Sequence, residues 1–551
     1  MNFELSFPAV VHGGPITGHV FLILTRSDKS EPRLQLFDVP VFSTEVSYLA
    51  PGATVLIDAD TRGFPVSSLA EIPADEYYVQ GLLNVYTEFH RADGHNIWAH
   101  MDQWEGQDMG RSPGNLISDV QQIQFEPRSG SSCKLPLNRV IPAIDVPADT
   151  EWVKRIKFQS KVLSDFWGQP IYLGATVLLP RDYDHDSEVR YPVVYVQGHF
   201  SHDAPFGFKT EPDPPETKSW ARRREEWAAQ GLNMPEPPHD AEFNGALYNV
   251  ESGYEFYQTW NSDRFPRLIA VTLQHPTPYF DDSYGINSAN AGPYGDALMN
   301  ELIPQVEEQF RVIRHSYARV LTGCSTGGWA SLALQIFHPD FFGGAWSFCP
   351  DPVDFRRYYA GINLYQDQNA FALDGAEWIA PERHLFRRAD GQVRLSNRQF
   401  SRLASLTGTQ DPGYGWTNYT PVGSDGYPRL VWDLETGEID PDVVSYMKEH
   451  DYDLRDYLQR NWSTIGRQLV EKLHLYCGDE DGGYFNLAVY LLEDFLRNTK
   501  KPSYAGTFTY GRPLKAHGWE PMTNAELVRL MAEHIRTRTP AGENANSWWD
   551  D

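Results

Sequence analysis

The most informative stretch of the sequence surrounds Ser325. Residues 323–328 read GCSTGG and fit the pattern G-x-S-x-G. An apolar run, residues 317–321, precedes the pattern, and a run with helical periodicity begins near Trp329. A serine on a tight turn between a strand and a helix is presented at the edge of a sheet, where the helix N-terminus directs backbone N–H groups at a developing negative charge. This context predicts a catalytic nucleophile rather than the N-cap of an ordinary turn.

A serine nucleophile requires a base, because its hydroxyl is a poor nucleophile at neutral pH. For a serine in this setting the expected chain order is serine, acid, histidine. His517 follows a short β-like run, residues 507–510, and lies in a loop past the last predicted strand. His474 falls inside a predicted strand and His534 inside a late helix, where core positions are expected. The sequence therefore predicts His517 as the general base.

The acid should follow a strand between the serine and the histidine. The predicted strand at residues 473–477 leads into GDEDGG at residues 478–483. Three carboxylates compete there: Asp479, Glu480 and Asp481. Two outside alternatives follow the predicted strand at 344–348: Asp351 and Asp354. Spacing alone does not choose among them.

An oxyanion formed on the substrate needs two N–H donors. The first is expected from Thr326, the residue after the serine. The second should come from the loop after the earlier strand, residues 192–196, where Gly198 permits a turn that aims the backbone N–H of His199. The alternative interpretation is an ordinary glycine-containing strand end.

Hydrophobic patterning indicates the scaffold for these residues. Short β-rich runs between turns rich in Gly, Pro and Asp predict a β-sandwich-like N-terminal domain over residues 1–150. Two alternating runs follow, 154–163 and 170–179, and they predict an antiparallel pair. Five runs apolar on both faces then alternate with helical periods: 192–196, 268–273, 317–321, 344–348 and 473–477. Such strands are typical of a mostly parallel, helix-covered sheet, so an α/β domain is predicted over 151–535, with a C-terminal tail over 536–551.

Two long insertions interrupt the α/β domain, at about residues 199–265 and 351–470. Insertions of this size usually form a cap or one wall of the cleft, although surface decoration is the alternative. Four aromatic residues are candidates for substrate binding: Tyr358, Tyr359, Trp416 and Trp519. Packing of the insertion's aromatic residues against one another is the competing interpretation.

Composition excludes several classes of protein. Of the 551 residues, 47 are Lys or Arg and 74 are Asp or Glu, which gives a net charge of −27. Such an acidic chain lacks the basic footprint that nucleic acid or an anionic membrane requires. No stretch approaches the roughly 20 apolar residues of a membrane span, and no signal peptide is seen, so a cytoplasmic location is expected. Four cysteines without metal spacing predict reduced thiols and no zinc site.

The motifs resemble the "Putative esterase" (esterase D-like, enterochelin esterase-like) family of α/β hydrolases. This family includes enterochelin esterases, S-formylglutathione hydrolases, mycolyl transferases and feruloyl esterases. The resemblance spans roughly residues 155–535 without the insertions, and its segments are 191–198 (YPVVYVQG), 292–310 (GPYGDALMNELIPQVEEQF), 323–328 (GCSTGG), 478–487 (GDEDGGYFNL) and 517–519 (HGW). It implies an α/β-hydrolase fold. The family's acid is the Asp of a G-x-x-D motif, which implies Asp481, whereas the family's usual H-G reads Gln197-Gly198 here.

These observations predict a serine carboxylic-ester hydrolase with Ser325, His517 and Asp481 as its triad and an acyl-enzyme intermediate. The expected partner is a small-molecule ester, and no metal or organic cofactor is needed for this chemistry. One alternative is an acyltransferase with the same triad, in which another hydroxyl replaces water. The other is a non-catalytic ligand-binding protein that keeps the hydrolase scaffold.

Overall fold

The computed structural model describes most of the chain. The described residues are 1–36, 39–106, 108–212, 251–279, 282–373, 382–407, 415–543 and 547–549. The helical stretch predicted at 219–230 lies outside them. Among the described helices, none is both long and apolar enough to span a membrane.

The N-terminal part of the chain consists of strands and short turns. Its strands are β1 Asn2–Ser6, β2 Ile16–Thr25, β3 Val41–Leu49, β4 Val55–Ile57, β5 Gly63–Phe64, β6 Asp75–His90, β7 Asn96–His100, β8 Leu116–Ile117, β9 Gln121–Phe125, β10 Ser132–Pro136 and β11 Arg139–Val140. One sheet has the order β10-β1-β4, and a larger one has the order β11-β8-β6-β2-β3-β5, with β7 and β9 also paired to β6. Leu5 of the small sheet and Leu83 of the large sheet share one apolar core, so the two sheets pack face to face.

A central eight-stranded sheet follows. The remaining strands are β12 Val153–Ser160, β13 Ile171–Leu178, β14 Val193–Gln197, β15 Ile269–Gln274, β16 Asn287–Ser288, β17 Gly292–Pro293, β18 Arg319–Cys324, β19 Gly344–Phe348, β20 His384–Arg387, β21 Val393–Ser396, β22 Leu473–Gly478 and β23 Thr507–Gly511. The central order is β12-β13-β15-β14-β18-β19-β22-β23. The pairing of β12 with β13 is antiparallel, as the alternating runs predict; that of β13 with β15 is also antiparallel, and the others are parallel. The carboxyl ends of β14, β18, β19, β22 and β23 therefore meet at one edge.

The helices connect these strands and cover the sheet. They are α1 Lys161–Trp167, α2 Gly253–Trp260, α3 Tyr294–Ala297, α4 Ile303–Gln309, α5 Thr326–Phe337, α6 Asn397–Thr407, α7 Trp416–Tyr419, α8 Pro441–Glu449, α9 Leu454–Leu469, α10 Asn486–Arg497 and α11 Asn524–Arg538. A π-helical turn, Leu298–Leu302, joins α3 to α4 just before Pro304. Proline cannot donate to the i−4 carbonyl, so a wider turn there keeps the helix continuous.

The second insertion has its own apolar core. Trp416 and Trp432 are fully buried in it, with ring centroids 4.7 Å apart. The same core includes Trp329 and Leu332 of α5, so the insertion packs onto the helix that follows the serine. Because α5 lies between the sheet and this insertion, it is buried on nearly every side, which explains its apolar sequence.

The C-terminal segment contacts the main fold. Helix α11 continues to Arg538, three residues into the predicted tail. Trp548 is almost fully buried, and its backbone oxygen accepts a 2.8 Å hydrogen bond from the N–H of Arg267. The described part of the tail is therefore anchored beside β15.

Candidate active site

Ser325 lies on a strained turn between β18 and α5. Its backbone has φ 58° and ψ −123°, a region that residues other than glycine rarely occupy. The N–H of Ser325 donates a 2.9 Å hydrogen bond to the carbonyl of Phe348 at the end of β19, which holds the turn in place. Strain of this kind persists only where the surroundings impose it, and it is typical of a nucleophile elbow.

The glycines of the motif allow two backbones to approach closely. A Cβ at Gly327 would lie 2.2 Å from the carbonyl oxygen of Gln197, and one at Gly323 would lie 2.6 Å from the same atom. Neither contact is sterically possible with a side chain, so both positions require glycine. The close approach brings the loop after β14 alongside the first turn of α5.

A continuous hydrogen-bonded chain joins Ser325, His517 and Asp481. The distance from Ser325 Oγ to His517 Nε2 is 2.9 Å, and His517 Nδ1 lies 2.7 Å from Asp481 Oδ2. Ser325 is half-buried, whereas the Asp481 side chain is fully buried and that of His517 is 34% exposed. The structure thus brings together the serine, histidine and G-x-x-D aspartate that the sequence singled out, in the geometry of a nucleophile, a base and an orienting acid.

The three competing carboxylates of the 478–483 loop point to different partners. Asp481 Oδ1 accepts hydrogen bonds from the N–H groups of Gly483 and Phe485, at 2.9 and 3.2 Å, which leaves Oδ2 for His517. Asp479 instead binds Arg512 at 2.7 Å and accepts from the Tyr490 hydroxyl at 2.9 Å.

Glu480 is turned toward the second insertion. It forms a 2.6 Å ion pair with Arg387 of β20, and Arg387 Nε also donates to the backbone carbonyl of Asp481 at 3.1 Å. The insertion therefore clamps the acid loop from outside. The contact of Arg387 with the acid loop could not be predicted from the sequence, because no spacing pattern within the 120-residue insertion relates Arg387 to Asp481.

The acid loop and the histidine loop are in direct contact. A Cβ at Gly478 would lie 2.2 Å from the carbonyl oxygen of Lys515 and 2.4 Å from that of Ala516. Only glycine permits this approach, which fixes His517 within reach of Asp481. The Phe485 ring lies edge-on to the imidazole, with centroids 5.4 Å apart, and restricts its rotation.

Two opposing effects set the charge of His517. Burial lowers the pKa of His517, while the Asp481 carboxylate raises it through its charge and its hydrogen bond, with further upward contributions from Cys349 and Asp351. The net direction is upward from the ordinary value of 6.5. A raised pKa means that the charged form of the imidazole is stabilised by its surroundings, with Asp481 as the main contributor.

We expect activity to rise with pH along a limb set by His517, because only the neutral imidazole accepts the serine proton. Since the pKa of His517 is raised, the midpoint of kcat/KM against pH should lie above 6.5. A small acetate ester, assayed from about pH 5 to about pH 10, gives this midpoint directly. In Asp481→Asn the residual activity should show a lower midpoint, because the stabilising charge is gone. A wild-type midpoint at or below 6.5 would contradict the assignment.

Asp351 also contacts the serine. Its Oδ1 lies 3.2 Å from Ser325 Oγ, and its Oδ2 accepts hydrogen bonds from Tyr284 Oη at 2.6 Å, Thr326 Oγ1 at 3.1 Å and Tyr359 Oη at 3.3 Å. Asp351 follows β19 on the same sheet edge, as the sequence places it. It bonds the nucleophile rather than His517, so its geometry differs from that of a triad acid.

The two candidate oxyanion donors lie on either side of the close contact at Gly327. Thr326 is the first residue of α5, where backbone N–H groups have no acceptor within the helix. His199 follows β14 by two residues; its side chain is 69% exposed and its Nδ1 lies 2.8 Å from Asp282 Oδ2. The backbone of the 197–199 loop, not the imidazole, adjoins the elbow.

The aromatic candidates divide into two pairs. Tyr358 and Trp416 are fully buried in the core of the insertion, so they do not form an open wall of the cleft. Tyr359 reaches Asp351 through its hydroxyl, and Trp519 is half-buried beside Gly511 and follows the histidine by two residues. Burial of large aromatic rings in the insertion's own core is favoured over exposure, because it removes 150–250 Å² of each ring from water.

Three cysteines lie beneath the triad. Interaction with the Cys349 thiol and burial raise the pKa of the Cys324 and Cys477 thiols. No described cysteine is in a disulfide. Within the described residues one trio, Cys349, Asp481 and His517, has potential metal-ligating atoms within 4.8 Å of one another. Asp481 and His517 are bonded to each other, so the trio is not assigned as a metal site.

The family comparison gives a match to one model. Residues 172–391 match the family described as "Putative esterase". The matched segment contains Ser325 and Asp351 and ends before Asp481 and His517. A comparison with curated proteins finds no match.

Solved structures with similar folds are serine hydrolases of low identity. A ferulic acid esterase is 15% identical, with 70% of this chain and 98% of that chain covered and a TM-score of 0.34. The fluorophosphonate-binding serine hydrolase FphF of Staphylococcus aureus is 12% identical, with 70% and 98% covered and a TM-score of 0.33. The S-formylglutathione hydrolase FrmB of Staphylococcus aureus is 12% identical, with the same coverage and a TM-score of 0.30.

Because these TM-scores lie below 0.5, the class of the protein follows from the family match together with the strand order and the elbow. The predicted resemblance to this family is confirmed. Residues 172–391 match the "Putative esterase" family, the fold is that of the α/β hydrolases, and the protein is a serine esterase.

Proposed function

We propose that this esterase hydrolyses carboxylic esters through a covalent acyl-enzyme on Ser325. The observation that carries the proposal is the hydrogen-bonded chain from Ser325 Oγ through His517 to Asp481, at 2.9 and 2.7 Å, on a strained elbow. A nucleophile, a base and an orienting acid in this arrangement can perform each proton transfer of acyl transfer without a cofactor.

In the first half-reaction, His517 Nε2 takes the proton of Ser325 as Oγ attacks the ester carbonyl. The oxyanion that forms is held by the N–H groups of Thr326 and His199. His517 then donates the proton to the departing alkoxide, which leaves as the alcohol. Asp481 keeps the Nδ1 proton in place and stabilises the imidazolium; its own second oxygen stays bonded to backbone N–H groups.

In the second half-reaction, a water molecule replaces the alcohol. His517 takes a proton from water, the hydroxide attacks the acyl-enzyme, and the carboxylic acid leaves as Ser325 recovers its proton. An alcohol entering in place of water would give a transacylation product instead. Product analysis with and without an added alcohol therefore measures how strictly water is the acceptor.

The proposed domain boundaries follow the division of the strands between the sheets. Residues 1–150 form an N-terminal β domain, residues 151–535 form the catalytic domain with its two insertions, and residues 536–551 form a tail. In support, the strands of the first sheets lie within residues 2–140, and those of the central sheet lie within 153–511. Tyr359 and Trp519 are the aromatic residues proposed to contact the ester.

A fluorophosphonate probe tests the nucleophile. Its phosphorus resembles the tetrahedral intermediate, so Ser325 should displace fluoride and retain one phosphonyl group. We expect the intact mass to increase by a single adduct, and peptide mapping to locate the adduct on Ser325. The exposed Ser187 offers a matched control, because Ser187→Ala should label as fast as the wild type. Absence of labelling, or an adduct on another residue, would overturn the proposed mechanism.

A further inference from the structure

A buried carboxylate in contact with the catalytic serine is not needed for the triad chemistry. Asp351 is 3% exposed; the ring nitrogens of His517 bond Asp481 and Ser325 rather than Asp351, whose charge acts on His517 only by raising its pKa. Burying a carboxylate is costly unless hydrogen bonds or a counter-charge compensate. Its presence beside Ser325 therefore calls for a function.

The hydrogen bonds of Asp351 are unevenly distributed between its oxygens. Three hydroxyl groups, from Tyr284, Thr326 and Tyr359, all donate to Oδ2 at 2.6 to 3.3 Å. They fix the carboxylate plane. Among the described side chains, Oδ1 accepts a hydrogen bond from Ser325 Oγ, at 3.2 Å.

Ser325 has a single hydroxyl proton for two acceptors. When His517 is neutral and ready to act as base, that proton must point at Nε2. Oδ1 of Asp351 then lacks the serine as a donor, while it remains buried and directed at the place where the ester arrives. An unsatisfied charged acceptor of this kind is destabilising unless the ligand supplies a donor.

The negative charge of Asp351 also calls for a positively charged partner. The attack on the ester creates an oxyanion a few ångströms from Ser325 Oγ, and a second negative charge nearby would oppose it. Among the described residues, no Arg or Lys forms an ion pair with Asp351. Arg356, five residues along the chain, and Arg455 form ion pairs with Asp354 instead, at 2.5 and 3.5 Å.

We propose that Asp351 recognises a protonated amine on the acyl group of the substrate, which makes the enzyme selective for esters of amino-substituted acids. The inference rests on the proposed function of Ser325. An ammonium group supplies both the hydrogen-bond donor that Oδ1 lacks and the positive charge that offsets the carboxylate during attack. The leaving alcohol must lie at His517 Nε2 to be protonated, which leaves the acyl chain as the part of the substrate that can extend toward Asp351.

The distances limit where the amine can sit. The carbonyl carbon must approach Oγ to about 3 Å before attack. A donor within about 3 Å of Oδ1, which itself lies 3.2 Å from Oγ, can then be as close as two or three bonds to that carbon. An amine on the α or β carbon of the acid is therefore compatible with both contacts.

A matched pair of substrates tests the inference. The p-nitrophenyl esters of 3-aminopropanoic and butanoic acid differ by an ammonium group in place of a methyl group. We expect the wild type to prefer the amino ester in kcat/KM, after subtraction of spontaneous hydrolysis. In Asp351→Asn the ratio of the two kcat/KM values should fall about 10- to 100-fold, the range for hydrogen bonds to charged groups, while the butanoate is still hydrolysed.

Three controls make the outcome decisive. Asp479→Asn removes a charge from the neighbouring loop without touching the serine, and its ratio should equal that of the wild type. The 3-hydroxypropanoate ester offers a neutral donor. If Asp351→Asn lowered kcat/KM relative to the butanoate for the hydroxy ester but not for the amino ester, the assignment of an amine would be overturned. In the wild type, the preference for the amino ester should disappear as pH rises through the pKa of the substrate's amine. This measurement does not depend on whether a variant folds correctly.

An unchanged ratio in folded Asp351→Asn, or no preference for the amino ester in the wild type, overturns the inference while ester hydrolysis itself persists. Failure of the proposed function has a different signature. In that case Ser325→Ala still hydrolyses the butanoate ester, or neither ester is turned over.

Discussion

Ser325→Ala is expected to lower kcat by about 10⁶-fold, because loss of the serine or histidine of such a triad costs about as much as loss of all three members. The side chain that forms the acyl-enzyme is absent, so only binding and the oxyanion donors remain to assist direct attack by water. Hydrolysis of a p-nitrophenyl ester at saturating substrate measures the loss, and the fluorophosphonate should no longer label the protein.

The fold should tolerate this substitution. Alanine adopts φ 58° no less readily than serine, and the N–H bond from residue 325 to Phe348 does not depend on the side chain. The thermal midpoint of Ser325→Ala should therefore stay close to that of the wild type. Ser187→Ala serves as the matched control for both activity and folding. Turnover near the wild-type level in folded Ser325→Ala would exclude the serine as the nucleophile.

The elbow and the sheet could be predicted because their determinants are local. Continuous apolar runs mark strands buried on both faces, and a G-x-S-x-G turn between such a strand and a helix admits one backbone geometry. Strand β19 has the predicted bounds, and the others differ by one to three residues at an end. Glycine at 323 and 327 is explained by contact with Gln197, a residue more than a hundred positions away.

The choice among carboxylates could not be made from local sequence. Asp479, Glu480 and Asp481 are consecutive and equally acidic, and what separates them is tertiary. Arg512 engages the first, Arg387 of the insertion engages the second, and the buried third is left for His517. The resemblance to a family, not spacing, favoured Asp481.

The hydrogen-bond partners of Asp351 also could not be predicted from sequence patterns. From the sequence, Asp351 is a possible triad acid, since it follows a strand at the catalytic edge. Its actual partners come from three separate segments: Tyr284 before α3, Thr326 at the elbow and Tyr359 in the insertion. Likewise, an aromatic residue that faces a cleft and one that fills a core look identical in sequence, as Tyr359 and Tyr358 show.

Asp481→Asn is expected to lower kcat about 10⁴-fold, the cost of an amide at this position in a well-studied triad. The Asp481 carboxylate accepts from His517 Nδ1 at 2.7 Å, and its other oxygen is held by two backbone N–H groups. An amide with its oxygen toward those N–H groups presents NH₂ to Nδ1, which favours the wrong tautomer of the imidazole. It also removes the charge that stabilises the imidazolium. Steady-state kinetics on a small ester measure the loss.

Asp479→Asn supplies the matched control, because it makes the same chemical change two residues away. The carboxylate oxygens of Asp479 contact Arg512 and Tyr490. In the ion pair with Arg512, the aspartate side chain is 23% exposed and the arginine side chain 65%. Exposed pairs contribute about 0–1 kcal/mol to stability, so the fold should be kept. Since the described partners of Asp479 do not include Ser325 or His517, kcat should stay close to the wild-type value. The two variants therefore separate the loss of a carboxylate from the loss of the carboxylate that faces His517. A severe defect in Asp479→Asn with near-normal Asp481→Asn would transfer the acid's role to Asp479. Mild effects in both variants would show that the charge beside the imidazole comes from another carboxylate, and Asp351, in contact with Ser325 Oγ, would be the first to test.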